Sequence, residues 1–98
     1  MSYRIEYTHR AIMELDDIIQ YVIDHFGFVS AENVKSDYNQ IIQQISVNPN
    51  QFSYFNKRKG IRKCVVSPQT TLYYQFDKEV VNLLSLRSNL MNPKTKDL

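Results

Sequence analysis

The sequence holds one cysteine, two glycines, three prolines and no tryptophan in 98 residues, and each shortage excludes something. A lone Cys64 can form neither an internal disulfide nor a cysteine zinc site, which fits a reducing compartment. Within its apolar stretch the thiol reads as a small hydrophobe. The scarcity of glycine and proline argues against a linker-rich or disordered chain. No apolar run approaches the roughly 20 residues that cross a bilayer. Arg4, Glu6, His9 and Arg10 break up any signal-peptide core, so a cytoplasmic protein without a membrane partner is the expectation. His9 and His25 fall near opposite ends of one predicted helix and cannot share a metal. A Gly-rich phosphate loop, a His-Glu metal spacing and a nucleophile elbow are all missing, and no metal or cofactor is expected.

What is present fits a single soluble domain over 1–98, with 43% hydrophobic and 22% charged residues. The formal net charge of +2 hides an asymmetry. Residues 1–50 carry 3 basic and 7 acidic side chains, whereas residues 51–98 carry 9 basic and 3 acidic. Lys57, Arg58, Lys59, Arg62 and Lys63 crowd into one short stretch. A basic second half of this kind points to a polyanionic or acidic partner.

Periodicity sets out the elements. Tyr3 to Tyr7 alternates as a half-buried strand with Tyr3, Ile5 and Tyr7 inward. Thr8 offers an N-cap, and Ile12, Leu15, Ile19, Val22 and Phe26 draw one stripe down a helix that Gly27 ends. Ser30 offers a cap to a second helix with Ala31, Val34, Tyr38, Ile41, Ile42 and Ile45 on its apolar side, bounded by Pro49. Residues 48–60 lose the pattern, with Phe52 and Phe55 expected to tuck onto the core. Three strands follow, IRKCVVS, TTLYYQF and VVNLLSLR, joined by the tight turns Ser67-Pro68-Gln69 and Asp77-Lys78-Glu79. The expected architecture is α+β, β-α-α-β-β-β, an antiparallel sheet with a two-helix hairpin on one face and the other face open.

That open face is where function is sought. Thr71, Tyr73 and Gln75 belong to it by alternation, with two or three of Arg62, Lys63, Ser85 and Arg87 according to register. Guanidinium and ammonium groups neutralise phosphates, and a tyrosine ring stacks on an unpaired base. The same groups can stabilise charge on a phosphate and move protons. Asp16-Asp17 reads as a solvated helix face.

Several pieces, in order, resemble the RelE/ParE toxin superfamily: Tyr3 to Thr8, Ala11 to Val22, Asn48-Pro49, Ile61-Arg62-Lys63, Leu72-Tyr73-Tyr74 and a terminal Asn92-Pro93. The resemblance implies the toxin of a type II toxin–antitoxin module, silenced by a cognate antitoxin, with a toxin dimer or a toxin–antitoxin hetero-oligomer as possible assemblies. Two branches are implied. ParE-like members poison DNA gyrase and have no catalytic activity of their own; RelE-like members are metal-independent endoribonucleases that cut mRNA in the ribosome. For a RelE-like protein the catalytic candidates are Arg62, Lys63, Tyr73 and Arg87, and for target or nucleic-acid binding they are Lys57, Lys59, Arg62, Lys63 and Arg87. The chain departs from the RelE pattern at Thr70-Thr71, where an arginine is expected, and at Ser88-Asn89-Leu90-Met91 after the last strand. No aromatic residue follows Phe76. The ParE-like branch is therefore favoured, the alternatives being the RelE-like ribonuclease and a degenerate member that binds antitoxin without toxicity.

Overall fold

The structure is a computed structural model and describes residues 2–89 and 98; the Asn92-Pro93 stop and the Leu90-Met91 positions lie outside the described residues. Its elements are β1 (Arg4–Tyr7), α1 (His9–Phe26), α2 (Phe28–Val47), a 3-10 turn (Pro49–Gln51), β2 (Tyr54–Asn56), β3 (Ile61–Ser67), β4 (Thr70–Phe76) and β5 (Val80–Ser88). The α+β architecture is as expected, with two refinements. The short β2 makes the sheet five-stranded, in the order β1-β5-β4-β3-β2, and β1 runs parallel to β5, so the sheet is mixed. The β3–β4–β5 meander is antiparallel.

Local chemistry explains the helix ends. The Thr8 hydroxyl accepts from the Ala11 N–H at 3.0 Å and donates to the Leu84 carbonyl at 2.9 Å, so one side chain both caps α1 and ties it to β5. Gly27, at φ +94° and ψ 173°, ends α1 and starts α2 in a conformation open essentially to glycine alone. Its N–H bonds the Val22 and Ile23 carbonyls. With so short a joint, Ser30 already lies inside α2; its hydroxyl donates back to the Phe26 carbonyl and is not the cap.

The buried line of α1 also differs from the expected stripe. Ala11, Ile18 and Val22 are buried, with Leu15 and Ile19 partly so, while Ile12 and Phe26 stand exposed. The small Ala11 and Ala31 are wholly buried, which lets the backbones close in. Tyr7, at the end of β1, is exposed as well. Against the helices the sheet sets Cys64, Val66, Leu72, Tyr74, Val81, Leu83 and Leu86. Burial pushes the Cys64 thiol up to about 11. The Tyr74 phenol donates to the Pro49 carbonyl at 2.7 Å and is pushed up to about 12, mainly by burial, which the Arg62 charge partly offsets. No helix among the described residues is long and apolar enough to cross a membrane.

Candidate functional site

Strand register decides which candidates share a face. Lys63 pairs with Tyr73, and Tyr73 with Ser85, so these three form a row across β3, β4 and β5 on the side away from the helices. Thr71 pairs with Arg87, which puts Arg87 on that side too. Strict alternation from Val81 and Leu83 would instead carry Ser85 and Arg87 into the core. A bulge at Leu84, between the pairs Tyr74↔Leu83 and Tyr73↔Ser85, reverses the phase and gives the core position to Leu86.

Arg62 is not part of the group. It pairs with Tyr74 on the helix-covered side, and its guanidinium donates to the Phe52 carbonyl at 2.7 Å and the Asn50 carbonyl at 3.2 Å. The same group lies 4.0 Å over the Tyr54 ring. These bonds fasten the irregular stretch after α2, so Arg62 reads as a clasp. The sets Arg62/Cys64/Val66 and Ile61/Lys63/Val65 are equally mixed in sequence, and only the pairing separates them.

The second face is less open than alternation implies: Ile61, Tyr73, Ser85 and Arg87 are all buried there. Phe55, expected on the core, instead packs edge-on against Tyr73 with ring centres 4.9 Å apart. Arg87 lies 5.8 Å from the same ring. Its Nε donates to the Ser85 hydroxyl at 2.9 Å, and that hydroxyl donates to Glu14 Oε1 at 2.6 Å. The other Glu14 oxygen is 3.8 Å from Arg87 and 3.4 Å from Arg10.

Glu14 is the site residue that the sequence pattern does not reveal, since it lies off the apolar stripe of Ile12, Leu15, Ile19, Val22 and Phe26. It stands three residues after Ala11 and four before Ile18, and so on the line that is in fact buried. From there it reaches over the free edge of β5. β1 stops at Tyr7↔Leu83, and beyond it the Leu86 N–H donates to Glu14 at 3.3 Å.

Lys57 and Lys59 sit apart from this cluster, in the exposed β2–β3 turn at the opposite end of the sheet. Of the candidate cations, Lys57, Lys59 and Lys63 are exposed, Arg62 is half-buried and Arg87 is buried. The structure thus joins Lys63, Tyr73 and Arg87 on one face and leaves Arg62 on the other.

No protein-family model matches the chain, and no curated protein matches it in sequence. Solved structures do match. A chain of the chromosomal ParDE TA system from P. aeruginosa superposes with a TM-score of 0.74 at 15% identity, over 89% of this chain and 96% of that one. The E. coli DinJ-YafQ toxin-antitoxin complex gives 0.61 at 11% identity, over 92% and 96%. The YoeB dimer from Staphylococcus aureus gives 0.63 at 12%, over 91% and 99%. The fold is that of the RelE/ParE-type toxins.

Proposed function

We propose that this chain is the toxin of a type II toxin–antitoxin module, neutralised by a cognate antitoxin, and that it arrests growth by engaging DNA gyrase in the ParE-like manner. The observation that carries the choice of branch is that both arginines among the nuclease candidates are engaged in holding the fold. Arg62 faces the helices and holds a loop through two carbonyls, and Arg87 is tied to Ser85 and Glu14. Catalysis of phosphodiester cleavage needs donors converging on one phosphate. The likeness to a ParDE system and to a DinJ-YafQ complex supports an antitoxin partner and action in the cytoplasm.

The test is induced expression with and without the neighbouring gene, followed by gyrase assays on the purified protein. Growth arrest relieved by the second gene, with raised gyrase cleavage complexes, is the expected result. Unchanged supercoiling and cleavage complexes would remove gyrase as the target. The RelE-like reading is favoured by one observation, the side-by-side placement of Lys63 and Tyr73; cleaved mRNA after induction would support it. Copurification with the neighbouring gene's product tests the partner directly.

A further inference from the structure

The start of α1 grips β5 on both sides of the bulge at Leu84. Ahead of the bulge, the Thr8 N–H donates to the Leu83 carbonyl at 3.0 Å and the Thr8 hydroxyl to the Leu84 carbonyl at 2.9 Å. Beyond it, Glu14 Oε1 accepts the Ser85 hydroxyl at 2.6 Å and the Leu86 N–H at 3.3 Å. The second carboxylate oxygen, Oε2, stands between two arginines. Arg10, one helical turn back, brings its Nε to 3.4 Å, and Arg87 on β5 brings its own to 3.8 Å.

The two arginines have different surroundings. The Arg10 side chain is 40% exposed and that of Arg87 6%, with Glu14 between them at 25%. One carboxylate therefore serves both a wet cation and a closed one. An ion pair built for strength is short and two-pronged, with N···O distances of about 2.7–2.9 Å. Here the charge contact is long, and the Arg87 Nε donates to the neutral Ser85 hydroxyl instead. Side chains hop between staggered positions, so a carboxylate shared in this way has two states, one turned to each arginine. On the sheet side, Arg87 shares its face with Tyr73 and the exposed Lys63. Loss of its counter-charge adds a second cation to that face.

We propose that Glu14 is an autoinhibitory latch on Arg87. With Oε2 turned to β5, the guanidinium is neutralised and closed off. With the carboxylate drawn to Arg10, Arg87 is released to the outer face and joins Lys63 there as a target contact. The consequence for growth rests on the toxin reading; the latch itself does not.

Phenylglyoxal, which modifies accessible arginines, probes the latch on the whole chain without any target, each site being quantified by peptide mass spectrometry. Arg62, held by the Asn50 and Phe52 carbonyls, is the internal measure of folding. Glu14→Gln keeps the shape and an oxygen for Ser85 but removes the charge, and is expected to speed modification of Arg87 at least about fivefold with Arg62 unchanged. Arg10→Ala takes away the competing arginine and is expected to slow modification of Arg87 about twofold, the worth of one exposed i,i+4 pair. Should Glu14→Gln loosen the whole fold, Arg62 accelerates as well and Arg10→Ala decides alone. Arg87 modified no faster in folded Glu14→Gln, or no slower in Arg10→Ala, overturns the latch. On expression, Glu14→Gln is expected to arrest growth at a lower inducer concentration than the wild type, and E14Q/R87A to lose that gain. Faster modification without stronger arrest overturns the role of released Arg87 as a target contact. A wild-type chain that arrests no growth at all removes the toxin reading, and the modification rates still judge the latch.

Discussion

Lys57, Arg58 and Lys59 at one end of the sheet and Arg87 at the other are all cations supplied by strands or their turns, yet the first three stand in solvent and the fourth is buried. The difference lies in what surrounds each end. At the turn, hydrogen bonds hold the backbone and leave the side chains at the surface, where Lys59 makes one exposed bond, to Leu98. At the Arg87 end, α1 crosses the unpaired edge of β5 and brings a carboxylate, and Phe55 and Tyr73 close the space beside it. A charge becomes structural where the fold delivers its counter-charge, and stays available for a partner where it does not.

That contrast breaks most visibly if Arg87 is replaced. Arg87→Ala leaves Ser85 and Glu14 in a closed site without their cation, and the expected loss is about 3 kcal/mol of stability in urea denaturation. A loss under about 1 kcal/mol would mean that this end is no more structural than the turn. Arg62→Ala should come next, at about 2 kcal/mol, because two backbone carbonyls lose a charged donor and Tyr54 loses the guanidinium above it. A neutral effect there would return Arg62 to the pool of target-binding residues. Tyr74→Phe removes the bond to the Pro49 carbonyl and should cost about 1 kcal/mol by the same assay. The charge-reversed turn, K57E/R58E/K59E, should fall within about 0.5 kcal/mol of the parent.

Cys64 gives a pH test of the helix-covered side. Its thiol rises from the ordinary 9.0 to about 11 in the folded protein, so the folded state holds the proton more tightly than the unfolded one. The resulting stability is fully present below about 9 and drains away as pH climbs toward about 11. Thermal melts between these limits should show the decline, and Cys64→Ala should flatten its lower part, from about 9 to about 10, while Tyr74, raised from 10.0 to about 12, sustains it above. Undiminished stability across that range would place the thiol in contact with water.

Much of the scaffold was legible because its signals are local. Thr8 caps α1 and Gly27 breaks the hairpin by chemistry confined to one turn of chain. The three strands of the meander announced themselves by alternation and turn residues. The site was harder to read because it depends on phase and on partners distant in sequence. The bulge at Leu84 sends Arg87 away from the helices, and the strand alone, VVNLLSLR, does not say where the phase slips. β2 is three residues long and pairs irregularly with β3, too short to show a period, yet its Tyr54 and Phe55 determine the surroundings of Arg62 and Tyr73. The role of Glu14 depended on an edge left free because β1 is shorter than β5.

The parallel pairing of β1 with β5 has a consequence for how the molecule comes into being. The Thr8 side chain meets Leu84 across 76 positions of sequence, so β1 has no strand to pair with until β5 is made. During synthesis the helical hairpin can form early from local contacts, but the sheet waits for β5. Closing that long loop costs entropy before any edge bond repays it. A nascent chain halted anywhere before β5 therefore holds an acidic hairpin and an unfinished sheet, with Glu14 in place and its partners Ser85 and Arg87 still to be translated.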